Sequence, residues 1–422
     1  MAAMANIYDI LRTRCGITTG VWVFIKDVMQ RIRTNRLSAK ILRSLSAEIG
    51  AIFKKANINI LAITVDPFLL NDNNRQIKIE KDVLSTIPYA VFSMVKTAIS
   101  TYPRIGSGLN DNLAVSKKII DATASKAFEE SILSWPTPVN IVASEAKDEF
   151  GDSQPEPKVA TKTSSGLSVA VDVVDGTTLV AKGLDGAYSI CAVGHGIKTF
   201  PDLRSYAVLA PKSVANRLDM ASAPEEAIKH NLSIIAKGCG KNISDLVVVT
   251  HSTDIGRQHD TLIKAMTDLG VGVIVPDPVV IESPYVIRIC QGGDIDAMIG
   301  VFGLPEIAIG SLIAKAINKD YKFMFRITGN SGLLNRDNTT LDDLLKTTDA
   351  EKEYVSSLGL SCNKIYSSDD VAGGGVFFVG TAITNDPVLG VPGVKGYDKP
   401  MEATSVLVDP TGNTWCIRVI FR

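Results

Sequence analysis

Residues 171–196 read VDVVDGTTLVAKGLDGAYSICAVGHG. An apolar run ends in two aspartates three positions apart, Asp172 and Asp175, followed by a glycine and two threonines. The pattern predicts a buried strand, a turn at Gly176, a helix opening at Thr177 and a second strand beginning near Ala187. Two chemistries suit that turn. The carboxylates could hold a hard divalent cation, while the N–H groups and hydroxyls of Thr177 and Thr178 hold a phosphate. An Asx-type turn between strand and helix needs only one aspartate and the glycine. The stretch alone leaves both open.

Outward from this block the same alternation continues. SVAVDVV, AYSICAVGHG, SYAVLAP, DLVVVTH, VGVIVP and IDAMIGVFG read as strands, several of them apolar throughout as in sheets covered on both faces. Between them APEEAIKHNLSIIAKGCG, RQHDTLIKAMTDLG, ESPYVIRICQGG and PEIAIGSLIAKAINK carry helical spacing. Two helices precede the block, in KDVLSTIPYAVFSMVKTAISTY and NLAVSKKIIDATASKAFEESIL, and a hairpin turning at Pro410-Thr411-Gly412-Asn413 closes the chain. The expectation is a layered α/β protein. Upstream, apolar residues recur every three or four positions to about Ala62, which predicts a helical extension over residues 1–78, ending in the polar break DPFLLNDNNRQ.

Composition narrows the partners. The 422 residues are 45% hydrophobic and 21% charged, with a formal net charge of −1, which gives no whole-chain reason to expect nucleic acid or an anionic membrane. No apolar run approaches the ~20 residues of a transmembrane helix. The six cysteines show no CxxC pair and no zinc-ligand spacing, so reduced, mostly buried thiols in the cytoplasm or an organelle matrix (mitochondrion or plastid) are expected. Residues 1–60 hold ten lysines and arginines against Asp9, Asp27 and Glu48, a bias that suits a transit peptide or a retained docking arm. The histidines His195, His230, His251 and His259 lack paired spacing and read as structural or surface residues. AGGGV, at 372–376, precedes a strand instead of following one, so it reads as a turn and not a dinucleotide loop.

Together with KAFEES, KDE, PDL, LIKAM, GVGVIVPD, DIDAMIGVFGLPE and GTAIT, in that relative arrangement along the chain, the 171–196 block resembles the signature of the lithium-sensitive, metal-dependent sugar phosphatases. Within that superfamily it is similar to the bacterial-type class II fructose-1,6-bisphosphatases and sedoheptulose-1,7-bisphosphatases. The resemblance implies a layered α-β-α-β-α sandwich with an extra N-terminal helical extension, a metal- and phosphate-binding catalytic domain over 79–215, and a sugar-binding domain over 216–422. It implies two or more Mg²⁺ or Mn²⁺ ions held by Asp121, Asp172, Asp175, Glu306 and the Val174 carbonyl. Asp148 would help activate the attacking water, with Lys117 and Thr177 beside it. Gly176, Thr177, Thr178, Arg257 and Asp277 would meet a sugar phosphate.

Five positions depart from the family pattern. Ser144 and Ala146 stand where it carries glutamates, Gly256 and Gln258 replace cations that hold a second phosphate, and Val279 replaces a sugar-binding aspartate. These losses open an alternative: a catalytically weakened homologue serving as a structural or regulatory subunit that docks through residues 1–80. A homo-oligomer or a larger complex is expected in either case.

Overall fold

A computed structural model describes residues 36–69, 79–109, 112–143, 166–251, 259–317, 320–329, 341–396 and 400–422. The strands are β1 (Ile60–Leu69), β2 (Asn140–Ala143), β3 (Leu167–Asp175), β4 (Tyr188–His195), β5 (Arg204–Pro211), β6 (Val247–Val249), β7 (Gly272–Ile274), β8 (Ala297–Gly303), β9 (Tyr321–Thr328), β10 (Ile365–Ser367), β11 (Val376–Ala382), β12 (Met401–Val408) and β13 (Thr414–Phe421). The helices that matter here are α1 (Arg36–Lys55), α2 (Lys81–Thr101), α3 (Leu113–Ile132), α4 (Thr177–Lys182), α5 (Pro224–Cys239), α6 (Asp260–Thr267), α7 (Glu282–Cys290) and α8 (Leu304–Ile317).

Two sheets result. The first runs β1-β13-β12-β11-β4-β3-β2 and the second β10-β9-β5-β8-β6-β7. Helix α8 lies between them, packing on β3, β4 and β11 of one and on β5, β8 and β9 of the other. Its sequence LPEIAIGSLIAKAI is apolar nearly all round, and only Glu306 and Lys315 escape burial. A helix without a polar face belongs inside a fold. Gly310 lets it approach closely: a Cβ there would come within 3.2 Å of Phe323 and 3.4 Å of Val286. Helix α2 covers the outer face of the first sheet, with α3 against it, and α5 and α6 cover the second sheet. The layering is α-β-α-β-α, as expected. β3 and β4 are buried along nearly their whole length because helices cover both faces of their sheet.

Along β5 the pleat divides two cores. Ala207 and Leu209 join the core between the sheets, while Tyr206, Val208 and Ala210 join a second core under α5 and α6.

Two expectations need correction. The N-terminal extension is not simply helical. After α1 the chain forms β1, which runs through Asp66 and Pro67 and pairs antiparallel with β13. Proline is tolerated there because, among the described residues, β1 is the edge strand and one row of its N–H groups meets no partner strand. Leu45, Ile49, Ile52 and Phe53 of α1 are buried in the main core, with the Phe53 ring edge-on to Phe92 at 4.9 Å. The second correction concerns the division after residue 215. β5 already belongs to the second sheet, and β11, β12 and β13 return to the first, so each layer mixes early and late chain.

One described stretch, Lys81–Leu109, is long and apolar enough to cross a bilayer. In its most apolar window 67% is buried inside the protein, so the core explains its apolarity. Cys191 and Cys290 are buried, whereas Cys239, Cys362 and Cys416 are half-buried, so burial is less general than expected; all five are free thiols.

Candidate active site

β3 ends in a break of register against β4 between Asp172 and Asp175. The break has a local cause. The Val174 N–H donates to Asp172 Oδ1 at 3.0 Å, an Asx-type bond that bends the strand two residues ahead of Asp175. The plainer reading of the motif therefore describes Asp172 correctly, and does not exclude the other one. Both carboxylates are buried, 4% and 6% exposed, although Asp-Gly turns normally face water.

Gly176 then takes φ 94°, a left-handed conformation that favours glycine, and its carbonyl accepts from the Leu179 and Val180 N–H groups as α4 begins. A Cβ at Gly176 would come within 2.9 Å of Ile281 Cδ1. Ile281 ends the loop that carries Asp277 and Val279, so that loop is packed directly on the DGTT turn. Asp277 is exposed, whereas Val279 packs against the main core. An aspartate at 279 would have to leave that contact or bury a charge.

Helix α3 brings Asp121 to the same place. The Thr177 hydroxyl donates to Asp121 Oδ1 at 2.7 Å, and the Val174 carbonyl lies 3.1 Å from the same hydroxyl. Burial pushes the Asp121 carboxyl above the usual carboxylate range, against the Thr177 hydrogen bond and the charge of Lys117, one turn earlier, which both hold it down. Thr177 was expected to meet a phosphate. Here its hydroxyl also ties α3 to the end of β3.

Glu306 sits in the first turn of α8, which packs on β3. Its carboxylate folds back onto the end of β8, where a Cβ at Gly303 would collide with it. Asp121, Asp172 with Asp175, and Glu306 thus stand on α3, β3 and α8. Among the described residues no three His, Cys, Asp or Glu side chains converge closely enough to hold an ion. The donors suit a hard cation in kind, being carboxylates and the Val174 carbonyl, and two of those carboxylates, on Asp172 and Asp175, are buried. Asp148, Ser144, Ala146, Gly256, Arg257 and Gln258 lie outside the described residues.

Sequence reasoning missed the surroundings of His259. It is 1% exposed, its Nε2 accepts from the Val301 N–H at 3.0 Å, and its ring stacks on His251 at 5.3 Å. Burial, with His251 and Arg204 adding to it, holds the His259 imidazole well below its ordinary value. The structural reading of His259 is therefore right, but the stacked pair and Arg204 went unseen. The signal for Arg204 was a basic residue heading the strand RSYAVLAP.

A layered α/β sandwich with buried carboxylates at a strand end is the arrangement that the resemblance to the sugar phosphatases implies. The comparisons make it specific. A family model described as bacterial fructose-1,6-bisphosphatase, glpX-encoded, matches residues 96–421, and the chain belongs to that family. The class 2 fructose-1,6-bisphosphatase of Haemophilus influenzae is 28% identical over 303 residues, 69% of this chain and 83% of that protein. The Escherichia coli K12 fructose-1,6-bisphosphatase 1 class 2 is 26% identical over 238 residues, 55% of this chain and 66% of that one. A Nostoc protein named D-fructose 1,6-bisphosphatase class 2/sedoheptulose 1,7-bisphosphatase is 25% identical over 258 residues, 59% of this chain and 68% of its own length.

Proposed function

We propose that this chain hydrolyses a sugar bisphosphate monoester, with fructose 1,6-bisphosphate and sedoheptulose 1,7-bisphosphate as the substrates to try first, in a reaction that requires Mg²⁺ or Mn²⁺. The observation that carries the reading is the Thr177 hydroxyl held between Asp121 and the Val174 carbonyl. That contact gathers α3 and the end of β3 around one point, where a turn or a solvated helix face alone would have no need to bring them together.

Asp121, Asp172, Asp175, Glu306 and the Val174 carbonyl would hold the cations. Bound there, the ions would neutralise phosphate charge and lower the pKa of a coordinated water. The chain's own parts do the rest. The turn at Gly176 would present the Thr177 and Thr178 N–H groups and the Thr178 hydroxyl to phosphate oxygens, the Thr177 hydroxyl proton being held by Asp121. Since α4 has only six residues, those local donors matter more than any helix dipole. Lys117 keeps positive charge beside Asp121, the loop through Asp277 closes the sugar side, and Asp148 takes the proton from the attacking water. Phosphate release measured against Mg²⁺ and Mn²⁺ tests the proposal; saturable, metal-dependent release supports it.

A second reading rests on Ser144 and on the lack of a converged three-carboxylate cluster among the described residues. In it the chain is a weakened homologue that serves as a subunit. Ser144→Glu separates the two. Restored or increased release favours a hydrolase limited by one missing ligand, whereas a silent variant, with a stable complex that residues 1–80 are needed to form, favours the subunit.

A further inference from the structure

The loop through Asp277 ends at Ile281 and leads directly into α7, whereas the DGTT turn leads through α4 into β4. A helix and a strand share no ladder of backbone hydrogen bonds, so the spacing of these two elements depends on what lies between them. The turn over residues 383–391, after β11, lies there. Its start is bonded to the segment entering β4. The Ala187 N–H donates to Thr384 Oγ1 at 2.9 Å, the Ala187 carbonyl accepts from the Ile383 N–H at 2.8 Å, and the Gly186 N–H donates to the Asn385 carbonyl at 2.7 Å. Its middle meets α7, where the Arg288 guanidinium donates to the Val388 carbonyl.

Asp386 sits at the junction and is 2% exposed. Its Oδ1 accepts from the Val388 N–H at 2.7 Å and the Leu389 N–H at 3.2 Å, which closes the turn, and its Oδ2 accepts from the Tyr188 hydroxyl at 2.7 Å. Tyr188 is equally buried and stands directly opposite Asp175 in the β3–β4 pairing. A chain of contacts therefore runs from the strand end that carries Asp175, through Tyr188, Asp386 and Val388, to Arg288 on the helix that follows the loop through Asp277. Stability alone does not call for a buried carboxylate and phenol, because an apolar pair of the same shape avoids their desolvation cost. What the polar pair adds is direction: its hydrogen bonds select one spacing where apolar contacts tolerate several.

We propose that Asp386 is a positioning residue for the sugar. Acting through Tyr188 and the turn, it sets the distance between the DGTT turn and the loop through Asp277, and so the fit of a sugar phosphate that spans them. The inference rests on the hydrolase reading above. Among the described residues Asp386 bonds to none that would hold metal, so its effect falls on substrate affinity more than on the metal requirement.

The test measures phosphate release from fructose 1,6-bisphosphate by the full chain and by its Tyr188→Phe, Asp386→Ala and Asp386→Asn variants at saturating Mg²⁺. Phenylalanine removes one oxygen and leaves the turn intact. Asparagine keeps an acceptor for the turn and gains an amide that can donate to the Tyr188 oxygen. KM is expected to rise about 10-fold in Tyr188→Phe and Asp386→Ala, with kcat and the Mg²⁺ half-saturation changing far less, and to rise less in Asp386→Asn. A residue that only stabilised the fold would lower the melting temperature and leave the KM of the folded protein unchanged. An unchanged KM in Tyr188→Phe therefore overturns the proposal, as does a rise no smaller in Asp386→Asn than in Tyr188→Phe. If Asp386→Ala does not fold, those two variants decide. If the unmodified chain releases no phosphate, the hydrolase reading fails separately, and calorimetric titration with fructose 1,6-bisphosphate decides Asp386. Weaker binding in Tyr188→Phe then supports the proposal, and equal binding, or none by the unmodified chain, overturns it.

Discussion

At Asp121 stability and the proposed metal-dependent hydrolysis pull in opposite directions. Its carboxyl is pushed up by burial, so between the ordinary carboxylate value of 3.8 and its raised value the folded chain holds a proton that the unfolded chain has lost. Folding stability should therefore fall as pH rises through that window and stay lower above it. Asp121→Asn removes the buried charge, so metal-free protein should melt higher at neutral pH, while phosphate release drops on the order of 100-fold or more through loss of a ligand. A variant that melts lower and keeps its activity would show that Asp121 is an ordinary structural partner of Thr177. Gly176 offers a second check. Alanine there must adopt a left-handed conformation and press on Ile281, so a loss of about 1–3 kcal/mol in denaturant unfolding is expected, with activity falling further because Thr177 shifts. The acidic residues were legible because a contiguous motif carries them. Arg204 and the stacked histidines were not, because a lone arginine at a strand start looks like a solvated end and a stack arises only when β6, α6 and β8 are assembled.

Among the elements, the N-terminal extension was misread in an instructive way. The apolar spacing of residues 41–53 correctly gave a helix, and the core confirms its inward face through Leu45, Ile49, Ile52 and Phe53. From Ile60 onward the same apolar density serves a strand, because the decisive contact is with β13, some 350 residues away in the chain, and no local pattern records it. The consequence is that α1 and β1 are part of the fold. Phe53→Ala should cost about 3–5 kcal/mol, measured by denaturant midpoint, through loss of the packing on Phe92. A near-neutral effect would mean that α1 docks loosely. Helix α6 carries another dependence. His259 titrates well below the ordinary imidazole value of 6.5, so the unfolded chain binds a proton that the folded chain refuses. Stability should be full above 6.5 and decline as pH falls below it, by up to about 1.4 kcal/mol per unit for this group. His259→Gln should flatten that slope in a series of thermal melts between pH 7 and 5; an unaltered slope would assign the acid sensitivity to other groups.

For the whole molecule, the layered class was readable from the alternation of strand and helix patterns, because a helix as apolar as α8 has no place except between two covered sheets. Strand order was not readable. The return of β11, β12 and β13 to the first sheet depends on pairings across the length of the chain. That return matters for the site, since β4, pinned by β11, is what holds the bulged end of β3 in place. The central claim is that this assembled strand end still turns over a sugar bisphosphate with metal, despite Ser144. The direct test is inorganic phosphate release from fructose 1,6-bisphosphate by the full chain as Mg²⁺ or Mn²⁺ is raised from zero. Saturable release that disappears on chelation and in Asp121→Asn is the predicted result; no release at any metal concentration, in the native chain and in Ser144→Glu alike, would contradict it.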